Sequence, residues 1–275
     1  MENRITISPA EGSGAGVRMA GVIAEGGKMR KVSSFVVRAM ICTGILAVGL
    51  IPAAAQDASP SVDQILDKYV QAIGGKEAVQ KITSRVAKGS FEMAEMGGDA
   101  TTEIYEKAPN MMYSVTSSGM GEFKRGYNGT VGWSNNPMQG LVELSGTELA
   151  DMKRSSDFYR DIKLKELYPK RTLKGKEAVN GHDAYVVELT PAEGSPETWY
   201  FDTDSGLAVR VQSTMETPNG PTDVDVLLSD YRDVDGIKFP CTIHQSVGQF
   251  EFTIKLNDVK QNVPIDDKIF DKPAQ

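Results

Sequence analysis

From Ser84 onward the chain alternates apolar and polar residues with a period of two, in a dozen short segments broken by Gly, Pro, Asn or Asp. A strand turns successive side chains to opposite faces, so this pattern commits most of the chain to antiparallel sheet and excludes a helical bundle. Strands are expected over Ser84–Met93, Thr101–Glu106, Met111–Thr116, Glu122–Tyr127 and Val131–Ser134. After an interruption they resume over Thr172–Ala178, Tyr185–Thr190, Thr198–Asp202, Ala208–Met215, Asp223–Asp230, Ile237–Val247 and Phe250–Leu256. Turn pairs such as Asn128-Gly129, Asn180-Gly181 and Asp235-Gly236 separate neighbours closely enough for hairpins. The alternation is cleanest in Val224/Val226/Leu228 and Phe250/Phe252/Ile254/Leu256, which implies one large twisted sheet with a single wet face. A meander of about 10–12 strands curls into a barrel or half-barrel rather than staying flat.

Helical spacing occurs in two places. Ser61-Val-Asp-Gln64 is a capping box, and Val62, Ile65, Leu66, Tyr69, Val70 and Ile73 follow it along one helical face before Gly74-Gly75. A short second helix is expected from Lys76 to Ile82. Between the strand runs, Ser145-Gly-Thr-Glu148 is a second box opening a helical insertion over Gly146–Lys163. Leu149, Met152, Tyr159 and Ile162 lie on one face of it, with Asp151, Lys153, Arg154 and Asp157 mostly on the other. That stripe has to be buried, and the concave face of the sheet is the economical place.

The first residues read as a leader. A basic stretch from Met29 through Arg38 precedes the apolar run Ala39–Ile51, and Pro52-Ala53-Ala54-Ala55 offers a cleavage site. Residues 29–55 are therefore expected to be a signal peptide cut near Ala55, which places the rest in the periplasm. The run is far short of the about 20 apolar residues that span a bilayer. Residues 1–28 either precede the true start at Met29 or form a disordered extension, and residues 56–275 are expected to form one domain. Six basic and three acidic residues precede Gln56, so the net charge of −7 becomes −10 for the exported part. Such an acidic body repels phosphate and argues against nucleic-acid partners. Cys42 falls in the leader, which leaves Cys241 alone, without an internal disulfide and without a neighbouring base to activate it.

Catalytic and metal motifs are missing from the sequence. Asp202-Thr-Asp204-Ser-Gly206 starts like a calcium loop but lacks ligands at its fifth and twelfth positions, so it reads as a hairpin turn. His182 and His244 have no partner at metal-ligand spacing, and Asp223/Asp225 and Asp266/Asp267 read as solvated pairs. No P-loop or G-x-S-x-G elbow is present. No enzyme activity, metal or cofactor is expected. Seven of the twelve methionines, Met93, Met96, Met111, Met112, Met120, Met138 and Met152, fall in the first strand run and the insertion. They either form a surface adaptable to chains of variable shape or fill an irregular core.

Several segments together resemble the LolA/LolB-like superfamily of periplasmic lipoprotein carriers. They are Ile65-Leu-Asp-Lys-Tyr-Val-Gln-Ala-Ile-Gly-Gly75, Lys107-Ala-Pro-Asn110, Gly126-Tyr-Asn-Gly-Thr-Val-Gly-Trp133, Thr198-Trp-Tyr-Phe-Asp-Thr-Asp-Ser-Gly-Leu207, Asp230 to Pro240 and Pro264 to Phe270. The resemblance runs from about Val62 to Pro273. It implies an α+β, mainly antiparallel, unclosed half-barrel with an N-terminal helix and a helical insertion over the concave face. It also implies a soluble carrier that shelters lipid or lipoprotein acyl chains without a cofactor. The insertion is longer than in such carriers, and their positively charged cavity residue has no evident counterpart.

By pattern, the cavity lining is expected to comprise Met111, Tyr113, Trp133, Leu149, Met152 and Tyr159. The alternative is a structural or sensory envelope module that binds a protein, such as an envelope membrane protein, through a sheet edge.

Overall fold

The computed structural model describes residues 59–93, 100–217 and 220–274, all within one compact unit, Ala55–Gln275. The expected signal peptide, Cys42 and Met96 lie outside the described residues.

Helix α1 (Val62–Ala72) starts as its sequence dictates. The Ser61 hydroxyl accepts from the Gln64 amide, and the Gln64 side chain accepts from the Ser61 amide at 2.8 Å. Its apolar face buries Ile65, Leu66 and Tyr69. At its end Gly74 adopts φ 122° and presses on the turn at Gly236, whose carbonyl oxygen would lie 2.4 Å from an added Cβ. Helix α2 (Lys76–Gln80) adds Val79 to the same core.

The strands are β1 (Ser84–Met93), β2 (Ala100–Lys107), β3 (Met111–Ser118), β4 (Gly121–Tyr127), β5 (Gly132–Asn136), β6 (Gly140–Glu143), β7 (Lys170–Val179), β8 (His182–Thr190), β9 (Glu197–Asp202), β10 (Ala208–Thr217), β11 (Gly220–Val234), β12 (Ile237–Val247) and β13 (Phe250–Gln261). They form one antiparallel sheet in the order β6-β5-β4-β3-β2-β1-β13-β12-β11-β10-β9-β8-β7, an unclosed half-barrel. Thirteen strands are observed where 10–12 were expected, because β6 has four residues and is too short to show alternation.

Two consecutive meanders thus meet at a seam between the first and last strands, with Arg85 opposite Gln261 and Phe91 opposite Ile254. The register slips between Lys88 and Gly89, where the Lys255 carbonyl oxygen would lie 1.8 Å from a Cβ on residue 89. The free edges are β6 and β7, and the segment joining them crosses the sheet, with α3 (Gly146–Ser155) touching both β5 and β10.

That segment departs from the expected single helix. It breaks into α3, a 3-10 turn at Arg160–Ile162 and α4 (Leu164–Leu167). Asp157 causes the break, since its side chain accepts from the Tyr159 amide at 2.9 Å and competes with helix propagation. The expected capping box at Ser145 does not form, because the Ser145 side chain makes no cap hydrogen bond. Arg154, expected on the polar face, is 8% exposed. It donates to Asp151, to Glu197 and to the carbonyls of Glu193 and Ser195.

The main core lies beneath α1, α2 and α4 and includes Leu66, Tyr69, Tyr168, Val187, Leu189, Trp199 and Phe201. The rings of Tyr69, Trp199 and Phe201 pack at 5.2–6.0 Å. A smaller core joins Tyr127, Leu144 and Met152. A third, around Val186 and Tyr200, lies on the opposite face of the sheet, so that face is not uniformly wet. There the Arg210 guanidinium covers the Tyr200 ring at 5.1 Å and the Tyr200 hydroxyl reaches Gln212 at 2.6 Å.

Candidate functional site

Residues directly opposite in antiparallel strands share a face, so the ladder assigns each side chain to the inner, helix-bearing face or to the outer one. Gly132 marks the inner face of β5, because a Cβ there would meet Leu149 of α3 at 3.0 Å. Through Tyr127 and Met112 that face continues across β4 and β3. Main-core residues Trp199 and Phe201 mark it on β9, and Val211 pairs with Trp199 and Val226 with Val211.

The inner face divides into two walls. On β10–β13 and β1 it presents Met215, Val226, Ile243, Phe252, Ile254 and Phe91, with Phe91, Ile254 and Ile243 directly in register and Gln245 between Val226 and Phe252. The Phe91 and Phe252 rings lie 5.0 Å apart. Among the described residues these side chains join none of the three cores, and each retains exposed surface. Phe250, at the rim, is 51% exposed. An apolar wall left outside the packed core is a candidate binding surface, because water against it is displaced favourably.

On β2–β5 the same face carries Thr102, Ser114, Thr116 and Ser134 interleaved with Ile104 and Phe123, with Arg125 among them. Thr102 and Thr116 share a hydroxyl hydrogen bond of 3.3 Å. Arg125 sits between Ser114 and Ser134 and remains exposed to solvent. The protein around it nevertheless lowers the guanidinium pKa, and Glu148 and Asp151 of α3 oppose that shift. The other six described arginines each hold a carboxylate.

The six expected lining residues do not come together on this surface. Leu149 and Met152 pack from α3 against Tyr127 and Leu144, on the inner face but within a small core. Tyr113 and Trp133 face outward, with rings 6.0 Å apart, and Met111 shares their phase on β3. Trp133 is 1% exposed, and its indole donates to the Phe270 carbonyl at 3.0 Å where the C-terminal segment crosses the outer face. An outer groove of about 640 Å³ between Tyr105, Tyr113, Lys124 and that segment completes this region. Tyr159 packs against the main core, and its hydroxyl donates to the Ile82 carbonyl at 3.1 Å.

Sequence reasoning named the alternation of β11 and β13 but did not extend it to a site. It missed Arg125, although Phe123, Arg125 and Tyr127 share one phase and the arginine interrupts an otherwise aromatic row. Cys241 is buried in β12, and burial pushes its thiol pKa up. His244 bonds Thr253 through Nδ1 at 3.0 Å. Among the described residues no group of three or more His, Cys, Asp or Glu could hold a metal ion.

No protein-family model and no curated protein matches the chain. Solved structures do. A DUF1329 family protein from Desulfovibrio piger superposes with a TM-score of 0.51 at 16% identity, over 76% of this chain and 97% of its own. A LolA superfamily protein from Nitrosomonas europaea gives a TM-score of 0.50 at 14% identity, over 78% and 99%. A domain described as that of an outer-membrane lipoprotein-sorting protein, from Vibrio parahaemolyticus, gives 0.50 at 13%, over 77% and 98%. These likenesses show the fold: the chain is built as a LolA-like unclosed half-barrel.

Proposed function

We propose that this LolA-like half-barrel is an exported, periplasmic binding or carrier protein for the acyl chains of lipids or lipoproteins, working without a catalytic step or cofactor. The observation that carries the reading is the apolar wall of Phe91, Met215, Val226, Ile243, Phe252 and Ile254, which five strands present and no packed core absorbs. Each methylene laid against such a wall contributes about 0.8 kcal/mol, so a chain of ordinary length binds without polar chemistry. The leader read in residues 29–55 and the names carried by proteins of the same fold support the compartment and the ligand class.

Native mass spectrometry of protein purified from its own envelope is expected to reveal bound lipid or lipopeptide. The delipidated protein is expected to take up a fluorescent fatty acid, and Phe252→Glu to abolish uptake. A ligand-free mass together with no uptake overturns the reading and leaves protein binding as the function.

A further inference from the structure

The two inner walls differ in chemistry. The apolar wall on β10–β13 and β1 shares its face with a mixed wall on β2–β5, where Thr102, Ser114, Thr116 and Ser134 are interleaved with Ile104 and Phe123 and Arg125 is the one cation. Arg125 alone among the seven described arginines has no ion pair or hydrogen bond from its side chain, and it keeps contact with solvent on the helix-bearing face. Elsewhere in this chain guanidinium groups are engaged, including the buried Arg154 and the half-buried Arg160. An unengaged guanidinium on the same face as Phe123 and Ile104, which lead toward the apolar wall, matches a ligand that is itself two-sided. Guanidinium forks bind carboxylate and phosphate oxygens in pairs.

We propose that the ligand of the inner face is an anionic amphiphile, its carboxylate or phosphate head held by Arg125 beside Ser114 and Ser134 and its chain running over Phe123 and Ile104 toward Phe91 and Ile254. This rests on the inner face being the ligand site. Glu148 and Asp151 on α3 act on Arg125 electrostatically and oppose the lowering of its pKa by the protein around it. Asp151 is committed to Arg154 and Ser195. Glu148 makes no such bond and competes with the ligand head for Arg125.

The delipidated protein is titrated, below the micellar concentration, with dodecyl phosphate, dodecanoate, dodecyl maltoside and inorganic phosphate, and binding is read by calorimetry. Both anionic amphiphiles are expected to bind at least about tenfold more tightly than the maltoside, the effect of one charge-assisted contact. Inorganic phosphate is expected not to bind. Arg125→Gln is expected to erase the preference while keeping maltoside binding, and Glu148→Gln to strengthen anionic binding alone. Equal affinities in the wild type, or a preference that survives Arg125→Gln, overturn the proposal. Binding of inorganic phosphate as tight as that of dodecyl phosphate overturns the amphiphile and leaves a simple anion site. If the two variants lower the unfolding temperature equally without altering binding, Arg125 serves only to balance α3, and the proposal fails. If none of the amphiphiles binds, the acyl-chain reading itself fails, a result distinct from a lost charge preference.

Discussion

Glu197 is the residue on which most charge converges. Its carboxylate accepts from Arg154, from Arg160 and, at 2.7 Å, from the Trp199 indole, and it is only 8% exposed. Burial alone would raise its pKa, but Arg160, the indole and Arg154 outweigh that and hold it below the ordinary carboxylate value. Because the folded pKa is depressed, the stabilisation is present above the unfolded value of about 4.3 and is lost as pH falls through the folded one. The unfolding midpoint is therefore expected to drop on acidification below about pH 4.3, and Glu197→Gln to flatten that dependence in pH-resolved denaturant curves. Glu197→Ala leaves two arginines without their buried partner and is expected to cost about 3–5 kcal/mol in urea unfolding. None of this was legible beforehand. Arg154 falls on the polar side of a helical wheel, and only the approach of the 193–197 segment turns that side into an interior.

At the scale of elements, the two Ser-x-x-Glu/Gln boxes separate motif from structure. The box at Ser61 closes and the one at Ser145 does not, although both match the same pattern. Ser61→Ala is expected to cost about 1 kcal/mol of stability and Ser145→Ala close to nothing, a contrast that thermal unfolding of the two variants checks. Strand positions were legible because burial on one face enforces the alternation, and β1 and β12 run as read, Ser84–Met93 and Ile237–Val247. The face of each strand was harder to read. Tyr113 and Trp133 look like cavity residues by composition, yet the C-terminal segment covers them from outside, and no local signal announces a segment that arrives from residues 263–273. Gly126 depends on that packing, since a Cβ there would meet the Trp133 ring at 2.5 Å. Gly126→Ala is expected to destabilise by about 1–3 kcal/mol, measured by denaturant titration.

At the scale of the whole molecule, the order of the sheet matters more than any one strand. Alternation and turn pairs foretold two runs of hairpins, but the pairing of β1 with β13 depends on strands at opposite ends of the domain and has no local signature. The seam is therefore where a single methyl group has the widest effect. Gly89→Ala would place its Cβ against the Lys255 backbone rather than a movable side chain, and it is expected to cost at least about 3 kcal/mol or to prevent folding. Refolding is expected on the millisecond-to-second scale or slower, because that pairing closes the longest loop in the chain, and stopped-flow measurements check it. The seam also sets an order of events during synthesis. Until the residues of β13 have left the ribosome, β1 is an unpaired edge that carries Phe91, and the first meander has nothing to dock against. A chain built this way gains by being kept unfolded until it is complete, which is the condition that passage through a membrane in extended form imposes.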